Sequence, residues 1–94
     1  MWRLISIEAS PIAGKKWRAN FKDGDKEKHT DFGAAGMDDY TITKDEEQRE
    51  RYRKRHAKDL LTNDPTRAGY LAYYILWNKP TLRESIADYR RRFN

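Results

Sequence analysis

Over residues 15–22 hydrophobic and polar positions alternate without a break, with Trp17, Ala19 and Phe21 on one side and Lys16, Arg18, Asn20 and Lys22 on the other. Alternation with a period of two marks a strand with one face buried and one in water. Residues 2–9 are rich in β-branched and aromatic side chains, and Ser10-Pro11-Ile12-Ala13-Gly14 breaks the run that follows. The two segments therefore predict an antiparallel hairpin. Asp23-Gly24-Asp25 is a second turn signal, and residues 28–32 predict a short third strand that completes a meander. A hairpin alone is marginal in water, whereas a third strand and a covering helix make it viable. Gly33-Ala34-Ala35-Gly36 interrupts regular structure, and residues 33–43 read as an ordered glycine-rich loop.

The period then lengthens. Thr43 and Glu46 form a capping box, acids at Asp45, Glu46 and Glu47 fill the first turn, and Arg53, Lys54, Arg55 and Lys58 lie toward the far end. A helix is predicted over residues 44–58. It is mostly exposed, because only Tyr52, Ala57 and Leu60 offer an apolar stripe. Asp64-Pro65 predicts a second helix start, running through Tyr70, Leu71, Tyr74, Ile75 and Trp77 until Asn78-Lys79-Pro80 stops it. Thr81 and Glu84 make another capping box, after which Leu82, Ile86, Tyr89 and Phe93 recur on one helical face. The expected fold class is α+β: an N-terminal antiparallel meander of two or three strands packed on two or three C-terminal helices. One domain is expected over residues 1–94, divided into a meander (1–32), the glycine-rich loop (33–43) and a helical half (44–94). Its core is expected to include Trp17, Phe21, Leu71, Ile75, Leu82, Ile86 and Tyr89.

Size and composition narrow what such a domain does. With 94 residues, 37% of them charged, the core is small and a large enzyme pocket is not expected. Cysteine is absent, which excludes disulfides and thiolate metal sites and fits a reducing compartment. The apolar run over residues 70–77 is far short of the roughly 20 residues that span a bilayer, and no signal-peptide pattern opens the sequence. A soluble protein without a membrane span is expected. The formal net charge of +5 points to an acidic or polyanionic partner, although 15 acids dilute the 20 bases.

Candidate chemistry is sparse. His29, Asp31, Asp38 and Asp39 are residue types that hold metals or act as bases, but they fit turn and cap roles better. His56, at the end of a basic helix, reads as a dipole partner. No Ser-His-Asp or Cys-His set is present, and the residue 33–36 segment lacks the Gly-Lys-Ser/Thr ending of a phosphate-binding loop. Neither cofactor, metal nor catalytic residue is assigned, and a non-enzyme is expected. The stronger signals are surfaces. Arg49, Arg51, Arg53, Lys54, Arg55 and Lys58, with Arg90, Arg91 and Arg92, form a candidate polyanion-binding set. Tyr70, Tyr73, Tyr74 and Trp77 cover more of a helix circumference than one core stripe needs and form a candidate partner-docking set.

Residues 31–93 also carry a series of blocks: Phe32-Gly33-Ala34, Asp39-Tyr40-Thr41, Arg51-Tyr52, Arg55-His56, Asp64-Pro65-Thr66, Leu76-Trp77-Asn78-Lys79-Pro80-Thr81-Leu82 and Arg92-Phe93. In these the chain resembles a family of small uncharacterised proteins encoded by nucleocytoplasmic large DNA viruses, including giant viruses and viruses of algae. It departs from that pattern at Thr43, where relatives often carry His. The resemblance implies a viral origin and a place in the virion, with host cytoplasm or viral factory as the setting during infection. It implies no reaction. The expected function is that of a small basic structural or interaction protein, virion-associated as a minor capsid or core component, whose partners are other viral proteins. The alternative is non-specific nucleic-acid binding in genome packaging.

Overall fold

The computed structural model describes residues 1–94. Strands β1 (Arg3–Ala9), β2 (Lys15–Asp23) and β3 (Lys26–Ala34) form an antiparallel sheet in the order β1-β2-β3. The meander is therefore complete, and its third strand is longer at both ends than the sequence predicts. Gly24 takes a φ of +59° at the first position of the two-residue turn between Asp23 and Lys26, where a left-handed residue matches the twist of the strands. Register places Leu4 opposite Phe21, Ile7 opposite Ala19, and Trp17 between Ala9 and Phe32. Leu4 and Ile7 are three residues apart, so plain alternation would put them on opposite faces. A bulge between Leu4 and Ser6 absorbs the extra residue and leaves Ile5 53% exposed.

The buried sheet face carries Leu4, Ala19, Phe21 and Phe32, while the other face is a polar ladder. There Arg18 pairs with Asp31 at 3.0 Å and Asn20 donates to Ser6 at 3.1 Å and to Glu8. The outer edge of β1 is blunted by the last helix of the chain. Leu4 donates its N–H to Asn94 Oδ1 at 3.0 Å and accepts from Asn94 Nδ2 at 3.2 Å, and Arg90 donates to the Ile5 carbonyl at 2.6 Å. Covering these groups removes a template for unwanted strand pairing.

The expected loop over residues 33–43 is partly regular. β3 runs on to Ala34, and Asp39 caps a single turn, α1 (Tyr40–Thr43), which ends on Lys44 at φ +54°. Helix α2 (Glu46–His56) starts two residues later than expected, because Asp45 rather than Thr43 accepts from the exposed N–H groups of Glu47 and Gln48. A 3₁₀ segment, Ala57–Thr62, follows.

Asp64-Pro65 is a turn and not a helix start. Asp64 Oδ1 accepts from both the backbone N–H and the hydroxyl of Thr66, which holds its carboxyl below the usual range. The carbonyls of Pro65 and Thr66 are drawn out of helical geometry by Tyr89 Oη at 2.5 Å and by Thr30 Oγ1 at 2.7 Å. Helix α3 (Ala68–Leu71) begins only after them and widens at once into a π segment, Ala72–Leu76, closed by Trp77 N–H on the Ala72 carbonyl at 3.1 Å. Five residues per closure bring Tyr70 with Ile75, and Leu71 with Leu76, onto the buried side.

Helix α4 (Leu82–Phe93) starts where predicted, with the Thr81 hydroxyl accepting from Glu84 N–H at 3.2 Å. Its inward face is a correction to the sequence reading. Ser85, Asp88 and Tyr89 are buried, whereas Leu82, Ile86 and Phe93 are half-buried and pack against the core from its margin. The corner before the helix decides this. Lys79 N–H donates to Ser85 Oγ at 3.0 Å and Asn78 Nδ2 to Asp88 Oδ2 at 2.6 Å, so polar bonds turn the helix about its axis. Trp17, like Leu82 and Ile86, is half-buried, while Phe21, Leu71, Ile75 and Tyr89 lie in the core as expected.

Candidate functional site

Helix α2 docks through a face that is aromatic and cationic rather than aliphatic. Tyr52 lies between two rings, stacked on His56 at 4.1 Å and on Trp77 at 4.4 Å, and burial, with a smaller contribution from Asp59, pushes its phenol up to about 12. Arg53 donates to the carbonyls of Trp77 at 2.9 Å and Tyr73 at 3.2 Å and lies over the Tyr73 ring. It thereby satisfies carbonyls at the end of the π segment, and its burial lowers its pKa. Arg49 donates to the Asn78 carbonyl at 2.8 Å and lies over the Tyr40 ring.

The arginines of α4 are engaged too. Asp88 accepts from Arg92 Nε at 2.8 Å and from Arg91 as well as from Asn78. Burial works to raise the Asp88 pKa, but the bonds from Arg92 and Asn78 and the two guanidinium charges outweigh it and hold the carboxyl below its usual value. Arg90 bonds to Ile5. The candidate polyanion set is therefore divided: Arg49, Arg53, Arg90, Arg91 and Arg92 each hydrogen-bond to the protein itself. Arg51, Lys54, Arg55 and Lys58 remain on the outer side. Lys54 and Arg55 are three and four residues from Arg51 and share one face of α2 with it, and Lys58 is exposed on the 3₁₀ segment that follows.

The candidate docking aromatics divide in the same way. Tyr70 and Trp77 are buried, and Tyr70 Oη donates to the Leu60 carbonyl at 2.9 Å. Tyr74 packs edge-on to Phe93 at 5.2 Å and Tyr73 edge-on to Tyr74 at 5.1 Å. These rings are cross-braces of the helical half, and only Tyr73 and Tyr74 retain partial exposure.

A concavity that borders these cations lies elsewhere, between the end of the sheet, the glycine loop and α2. It encloses about 570 Å³. Its floor is Tyr52, Ala72, Leu76 and Trp77; Arg51, Arg55 and Gln48 form one wall, and Gly33, Gly36 and Asp38 the other. Gly33 has φ +80°, and a Cβ there would come within 3.0 Å of Leu76 Cδ1 and 3.1 Å of Lys16 Cβ, so glycine lets the loop close down on the floor. Lys16 reaches into the groove but is neutralised, with its ammonium 2.6 Å from Asp39 Oδ2 and 2.7 Å from the Met37 carbonyl. Arg51 is 4.0 Å from Glu47, beyond hydrogen-bonding distance, and Arg55 makes no ion pair. The groove presents two guanidiniums to an anion over an apolar floor.

Sequence reasoning singled out Arg51, Arg55 and the glycine loop, but it did not join them. It also missed Lys16, Gln48 and Leu76 as groove residues, because they come from separate elements with no shared spacing. The His29, Asp31, Asp38 and Asp39 group does not assemble, and no group of three or more His, Asp or Glu side chains is placed to hold a metal ion. Arg18 and Ser10 bond to Asp31 and hold its carboxyl low. Asp39 accepts from Thr41 N–H at 2.8 Å, and His56 Nδ1 lies 3.2 Å from Asp59.

No curated protein and no solved structure matches the chain. A family model does match, over residues 5–56, which takes in most of the meander, the glycine loop, α1 and α2 but neither α3 nor α4. It shares residues 31–56 with the segment in which the viral resemblance was read. Since that match covers more than half of its length, the chain belongs to a family of unknown function, DUF5754.

Proposed function

We propose that this chain is a non-enzymatic interaction protein that holds partner proteins within a viral particle, as a minor capsid or core component. The observation that carries the reading is the stripe of exposed cations, Arg51, Lys54, Arg55 and Lys58, in which Arg51 alone has an ion-pair partner, Glu47 at 4.0 Å, and from which Arg51 and Arg55 line a groove with an apolar floor. That combination suits recognition of a protein surface, where an apolar contact is ringed by charge. The groups that resemble catalytic machinery have structural duties instead: Asp39 caps α1, Asp31 closes the polar ladder and His56 stacks on Tyr52. The viral setting rests on the blocks in residues 31–93 and extends to the host cytoplasm or viral factory before assembly.

A second reading, non-specific nucleic-acid binding in genome packaging, draws on the same stripe. Salt dependence separates the two. Each phosphate neutralised contributes about −0.9 to the slope of log K against log salt, so four cations give at most about −3.6. Fluorescence anisotropy of a random-sequence duplex is expected to show binding only at low salt, with a slope no steeper than this and none left at about 0.15 M. Nanomolar binding at that ionic strength would put nucleic acid first.

A further inference from the structure

Resting on the interaction reading, we propose that the groove between the glycine loop and α2 receives an extended acidic segment of a partner protein. The segment carries the pattern acid, apolar, acid. Its carboxylates meet Arg51 and Arg55, and the apolar side chain between them seats against Leu76.

The spacing of the cations sets the pattern. Side chains four apart on a helix stand about 5–6 Å apart at Cβ. In an extended segment, side chains two apart point the same way and are separated by about 6.5–7 Å. Long guanidiniums bridge that small difference, and planar forks match carboxylates bidentately. The intervening side chain points the other way, toward the glycine wall, where the absence of side chains at Gly33 and Gly36 leaves it room to lie against Leu76 at the edge of the apolar floor. Met37, 64% exposed at the rim, can fold over such a side chain.

A nucleic-acid strand fits the same place less well. Tyr52 is covered on both faces, by His56 and Trp77, so it offers no platform for a base. Asp38 on the loop wall and Glu47 beside Arg51 repel a continuous polyanion more than a segment carrying two carboxylates. Lys16, held by Asp39, adds no net charge that would favour phosphate.

The test is titration of the ¹⁵N-labelled full chain at about 0.15 M salt with three capped peptides in a Gly-Ser frame, centred on Glu-Leu-Glu, Glu-Ser-Glu and Lys-Leu-Lys, and with oligothymidine. Saturable shifts are expected for the amides of Gly33 and Gly36 and for the Trp77 indole N–H with the Glu-Leu-Glu peptide. Affinity should fall at least fivefold for Glu-Ser-Glu, and the Lys-Leu-Lys peptide should not bind. Arg55→Glu and Arg51→Glu, each confirmed as folded by its own amide spectrum, should each weaken the Glu-Leu-Glu peptide at least tenfold. The remote, exposed Arg83→Glu should change it less than twofold. Failure to saturate by millimolar peptide, shifts at another surface, or indifference to Arg55→Glu overturns the proposal. Tighter binding of oligothymidine to the same amides gives the groove to nucleic acid instead. A peptide that fails leaves the broader interaction reading standing; absence of the chain from particles would sink that reading without moving peptide affinity.

Discussion

Replacing Asp88 with Leu should be among the most damaging single changes in the helical half, although the residue bears no resemblance to a core position in sequence. Its carboxylate is buried at 4% exposure and binds Asn78, Arg92 and Arg91. These bonds are unequal. Arg91 and Arg92 have side chains 72% and 47% exposed, so each ion pair counts at surface value, up to about 1 kcal/mol. The bond from buried Asn78 is worth about 1.5–3 kcal/mol, and its loss strands an amide that water does not reach. Together these give a loss of about 2–4 kcal/mol, a large part of the roughly 5–14 kcal/mol that a domain of this length holds. Urea denaturation at neutral pH reads it directly, and melting should fall by at least about 8 °C. The effect also has a pH signature. Because the folded pKa of Asp88 is depressed, its contribution is complete above the unfolded value of about 3.9 and is lost as pH falls through the folded pKa. The gap between wild type and variant should therefore be constant from pH 7 down to about 5 and close below about 4. A loss below about 0.5 kcal/mol at neutral pH, or a gap that widens on acidification, would refute the reasoning.

Other changes test other joints. Asp39→Ala removes the partner of half-buried Lys16 and the cap of α1, and should cost about 2–4 kcal/mol by thermal melting, without abolishing turnover of any nucleotide or phosphoester. A variant that folds normally but loses a wild-type hydrolysis would make the glycine loop an active site. Arg53→Met keeps an unbranched apolar stem but removes the guanidinium over Tyr73 and leaves the Tyr73 and Trp77 carbonyls without their donor, and should cost about 1–3 kcal/mol, with faster amide exchange confined to the π segment. Unchanged exchange there would show that water replaces the guanidinium at no loss. Ile86→Ala, at a half-buried site, should cost only about 1 kcal/mol in urea denaturation, where a fully buried isoleucine would cost 2–5.

The strands were legible because their information is local. Alternation at Trp17, Ala19 and Phe21 and the breakers around Gly14 and Gly24 are enough to specify a meander, and only the bulge at Ile5 is hidden from a period count. The helical half was less so. Asp64-Pro65 has the composition of a helix start, yet bonds from Tyr89 and Thr30, distant in sequence, take its carbonyls elsewhere. A period of 3.6 finds Leu71 and Ile75 but cannot anticipate a π segment, which also turns Leu76 into the core. Likewise the apolar positions of α4 predict a face of Leu82 and Ile86, whereas Asn78 and Lys79 select Ser85 and Asp88. The basic residues were identifiable, but which of them are engaged depends on carbonyls freed at the ends of other elements. The groove itself has no signature in sequence, since its walls and floor meet only when the sheet, α2 and the π segment are packed.

The central claim is that the outer face of α2 contacts a protein inside a particle. Carbodiimide cross-linking of intact, purified particles, which activates carboxylates and condenses them with lysine amines, followed by mass spectrometry, tests it most directly, because Lys54 and Lys58 are exposed on α2 and on the 3₁₀ segment that continues it. The account predicts that both lysines cross-link to an acidic segment of a particle protein, and that prior nuclease treatment leaves the links in place. Absence of the chain from particles, or contacts through α2 that form only with nucleic acid, would contradict it.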